Sequence, residues 1–81
     1  MIPWWKTKFG VAEINAVSTA ILEENISQGP ITERFEAKLG DLLGVPHVIA
    51  TSSGSAALAM SLMAVGIGRG DEVIVPNRGW I

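Results

Sequence analysis

Val48–Leu58 reads VIATSSGSAAL, and the fold class turns on it. A short apolar run with β-branched Val48 and Ile49 breaks into small polar residues around Gly54. An alanine-rich segment follows and runs on through Met60, Leu62 and Met63. The pattern predicts a strand, a tight turn and a helix start, with Ser52 or Ser53 as the N-cap. The first amides of a helix have no partner within it, and the helix dipole places about half a positive charge there. Gly54 has no side chain and would let an anion approach the backbone closely. Ser52, Ser53 and Ser55 offer hydroxyl donors. Two readings stand: a helix cap and nothing more, or an anion site suited to a dianionic phosphate. The stretch is neither G-x-G-x-x-G nor G-x-x-x-x-G-K-[ST], so it announces no dinucleotide or nucleoside triphosphate. It is not G-x-S-x-G either, and no serine in it reads as a nucleophile.

Outward from this turn, His47–Ala50 is the expected first strand and Ser55–Val65 the helix, closed by Gly66. IGRGD (Ile67–Asp71) is a turn, and EVIV (Glu72–Val75) is a second strand ending at Pro76. Two short apolar strands joined by a helix predict a parallel βαβ unit over about residues 47–76, with a right-handed crossover and cover on both faces. NRGWI (Asn77–Ile81) leaves the second strand at the sheet edge where ligands bind in open α/β folds, which puts Trp80 beside the turn. Trp80 is then either a hydrophobic anchor or a flat stacking surface for a planar ligand.

Toward the N-terminus, the pattern Ile14, Val17, Ile21 predicts a helix over about residues 11–25. NISQGP (Asn25–Pro30) breaks it. A second helix is expected over about 31–43, with Ile31, Phe35, Leu39 and Leu42 inward, Gly44 just past its end and Pro46 preventing continuation. Glu33, Arg34, Glu36, Lys38 and Asp41 read as its solvated face. Residues 1–10 form an extended arm carrying Trp4 and Trp5. The arm packs on its own domain or lies across a partner subunit or ligand cleft, where aromatic anchors concentrate. His47, a lone histidine with no second ligand in view, reads as structural.

The 81 residues make one small domain at most, and a net charge of −2 with scattered signs gives no footprint for nucleic acid or an anionic membrane. With no cysteine, disulfides, thiolate zinc sites and a cysteine nucleophile are excluded, and no metal is expected. No apolar stretch reaches the ~20 residues that would cross a bilayer.

The ordered motifs are IPWW (Ile2–Trp5), Glu13–Val17, QGP (Gln28–Pro30), Phe35–Glu36, LGV (Leu43–Val45), SSGSAAL (Ser52–Leu58), GIGRGDEVIVP (Gly66–Pro76) and NRGWI. With these, the whole chain resembles the start of the DegT/StrS family of nucleotide-sugar aminotransferases, pyridoxal-phosphate enzymes of the aspartate-aminotransferase fold (fold type I). The resemblance implies an α/β class: the arm and two helices, then the parallel βαβ unit that begins the large domain. It implies that Gly54 and Ser55 hold the cofactor phosphate, Ser55 standing where the family usually has threonine. Trp80 would stack on the pyridine ring, with Gly79 where the family often has threonine. The arm and Gln28–Gly29 would lie near the sugar-nucleotide site. A nucleotide-sugar substrate, an amino-acid amino donor, a homodimer and a cytoplasmic setting are implied with it.

Transamination also needs a lysine and a carboxylate, which the family supplies from well beyond position 81. Lys6, Lys8 and Lys38 do not match that lysine, so the expectation is a single incomplete domain, ending in a truncated loop at 77–81, with no catalytic residue of its own. Two alternatives stand beside the aminotransferase: a fragment of a family dehydratase using the same cofactor, and a free-standing, non-catalytic α/β module that binds an anion or a partner chain.

Overall fold

A computed structural model describes residues 2, 3 and 5–79. Among them three helices form: α1 (Val11–Leu22), α2 (Pro30–Leu43) and α3 (Gly54–Ala64). The chain divides into two compact units, Met1–Ile49 and Ala50–Ile81.

In the first unit the described residues of the arm have no regular structure, and their side chains are exposed. The Trp4 half of the expectation for the arm falls outside the described residues. α1 begins where the chain can satisfy its own first amides. Gly10 is the N-cap, and its N–H donates to Oε2 of Glu13 at 2.7 Å. This is one half of a capping box; glycine has no side chain to return the other half. That hydrogen bond holds the Glu13 carboxyl below its ordinary pKa of 4.5. Phe9 and Ile14 flank the cap and line one shallow apolar groove, the positions of a hydrophobic staple that fixes the angle of entry.

α1 stops in a Schellman motif. The Asn25 N–H donates to the Ala20 carbonyl at 2.8 Å and the Glu24 N–H to the Ile21 carbonyl at 3.1 Å. The residue in left-handed conformation is Glu24, at φ +58°. The expected last turn of this helix is therefore its cap. α2 starts with Pro30 in its first turn after Gly29, and Gly44 at φ +66° ends it. The Val45 N–H then reaches back to the Gly40 carbonyl at 3.0 Å. Gly40 lets the departing chain come close: a Cβ there would lie 3.1 Å from the Val45 carbonyl oxygen and 3.6 Å from Cγ2 of Val48. α1 and α2 do not pack along their lengths, and the stripe Ile14, Val17, Ile21 stays open to solvent.

In the second unit α3 closes as α1 does. The Ile67 N–H donates to the Leu62 carbonyl and the Gly66 N–H to the Met63 carbonyl, both at 3.0 Å, with Gly66 at φ +79°. Asp71 then closes a turn on Gly68: its N–H donates to the Gly68 carbonyl at 3.1 Å, while its Oδ2 accepts from the Gly68 N–H at 2.7 Å.

The expected α/β class, with a parallel βαβ unit over 47–76 opening a fold type I large domain, is not what the chain forms. Among the described residues there is no strand and no sheet. Residues 47–50 and 72–75 have the β-branched composition of strands without the structure. A ladder exists only between neighbours, and a parallel pair needs apolar cover on both faces. Here Ile49 is 70% and Ile74 101% exposed, so that cover is missing and composition alone orders nothing. No described helix is long and apolar enough to cross a membrane.

Candidate functional site

The serine-rich turn at the start of α3 is built from its own local bonds. Ser53 is extended (φ −162°, ψ 162°) and is the N-cap; its Oγ accepts the Ala56 N–H at 3.1 Å. Its carbonyl accepts the Ala57 N–H at 3.0 Å and the Thr51 hydroxyl at 3.0 Å. Of the two serines that composition allowed as caps, Ser53 does the work. Ser52 stays outside the helix.

The residue that sequence reasoning passed over is Thr51. Its hydroxyl ties the approach to the turn onto the carbonyl of the N-cap, and a hydroxyl residue two places ahead of a serine cap is the signal that could have found it.

With Ala56 and Ala57 satisfied, the amides of Gly54 and Ser55 have no acceptor among the described residues. Both residues are exposed. They lie side by side in the first turn, where the helix dipole is positive. A Cβ built on Gly54 meets no atom of the described residues within 4 Å, so none of them fills the space above it. Two free amides, the Ser55 hydroxyl and the dipole form a donor set that suits the terminal oxygens of a phosphate ester. Trp80, the third expected site residue, lies outside the described residues.

Other charged groups are elsewhere on the chain. Lys6 and Lys8 are exposed on the arm, and Lys38 is exposed on α2. A hollow of about 570 Å³ in the first unit runs along α2 with Glu33, Glu36 and Asp41 on its wall. Carboxylates there repel an anion, so that hollow is no rival for a phosphate. No three His, Asp or Glu side chains among the described residues converge as metal ligands do.

Residues 8–81 match the model of a family of aminotransferases, a class of transferases. The chain belongs to the DegT/DnrJ/EryC1/StrS aminotransferase family. That family is generally pyridoxal-phosphate-dependent. No solved structure matches the chain.

Proposed function

We propose that the chain carries the phosphate-holding part of a pyridoxal-phosphate-dependent aminotransferase acting on a keto nucleotide-sugar, with an amino acid as amino donor. The observation that carries the reading is the pair of amides at Gly54 and Ser55, without an acceptor among the described residues and on exposed residues at the N-terminus of α3. In this reading the Gly54 and Ser55 amides and the Ser55 hydroxyl bind the cofactor phosphate. Ser53 and Thr51 hold the turn in the shape that presents them, and Trp80 stacks on the pyridine ring. When bound, the cofactor supplies the electron sink that transamination needs. The chain's own part is to bind and orient that group.

In this reading Lys6, Lys8 and Lys38 take no part, and the 81 residues are one incomplete domain that binds the cofactor without catalysing. The complete enzyme would be a cytoplasmic homodimer, a setting that a cysteine-free composition suits.

The test is a titration of the purified chain with pyridoxal phosphate, followed by tryptophan fluorescence, with inorganic phosphate as competitor. Saturable quenching, relieved by phosphate and reduced at least about tenfold in affinity by Gly54→Val, is expected. The substitution is informative because a Cβ at Gly54 meets no atom of the described residues within 4 Å, so α3 should persist, as circular dichroism would show. Undiminished binding in a Gly54→Val chain with α3 intact would remove this turn from the site, leaving Ser53 as a helix cap alone.

A further inference from the structure

We draw no further inference here: the strongest candidate, the exposed apolar stripe of Ile14, Val17 and Ile21 along α1, is an unpartnered helix face, and nothing in the structure shows what covers it.

Discussion

Glu24 holds a position that chain geometry reserves for glycine. Its φ of +58° brings Cβ against the following carbonyl, at a cost of about 1–2 kcal/mol for an L-residue. Glu24→Gly should therefore strengthen the end of α1 by about 1 kcal/mol. The gain would be read as slower hydrogen exchange at the Glu24 and Asn25 amides, and unchanged or faster exchange would contradict the strained cap. At the other end, Glu13 gives α1 a dependence on pH. Its carboxylate is stabilised by the Gly10 N–H, so its folded pKa lies below the ordinary 4.5. The contribution is then fully present above about pH 4.5 and is lost as pH falls through the lower folded value. Far-UV circular dichroism should show a loss of helix over that acid range that is absent in Glu13→Gln; identical profiles would deny Glu13 a capping role. Sequence disclosed part of this. Gly44 and Gly66 were legible as helix stops because glycine is the usual left-handed residue. Glu24 was not, because a glutamate reads as one more helical position.

At the scale of elements, Gly40 shows how a single missing methyl sets the path of the chain after a helix. Alanine normally gains about 1 kcal/mol over glycine inside a helix. At Gly40 the new Cβ would sit 3.1 Å from the Val45 carbonyl oxygen, so Gly40→Ala should gain less than that. Gly40→Val should displace Val45 altogether. Loss of protection at the Val45 amide, which donates to the Gly40 carbonyl, is the measure. A fully protected Val45 in the valine variant would show that the close approach is not needed.

The helices were readable because caps, breakers and the 3.6-residue period are local properties. The strands were misread for the opposite reason. Val48, Ile49, Val73, Ile74 and Val75 state a preference, but a strand also needs a partner and a cover that no local pattern reports. The turn between them was readable as a serine-capped helix start. Which serine caps depends on the backbone path, which composition does not state, whereas Thr51, a hydroxyl two places ahead of the cap, was there to be read. Trp80 lies outside the described residues.

For the molecule as a whole, the decisive fact is that no described residue is buried. α3 carries leucine and methionine around its circumference, a composition suited to the inside of a larger body, yet Leu58 is 71% and Met63 73% exposed. Without apolar burial the main favourable contribution to folding is missing. A packed domain of this size would absorb about 50–60 kcal/mol in a cooperative thermal transition. Calorimetry on the isolated chain should instead show a broad, featureless trace, with self-association rising with concentration. A sharp monomeric transition of that enthalpy would mean that the chain builds a core of its own.

The three helix endings have a consequence for how the chain is made. Each stop is written within a few residues: Asn25 back to Ala20, Val45 to Gly40, Ile67 to Leu62. None waits for a distant partner. As the polypeptide emerges from a ribosome, each helix can therefore take its final length as soon as its own stop signal clears the exit. A short synthetic peptide covering one helix and its stop should terminate at the same residue as the full chain, because the punctuation travels with the segment.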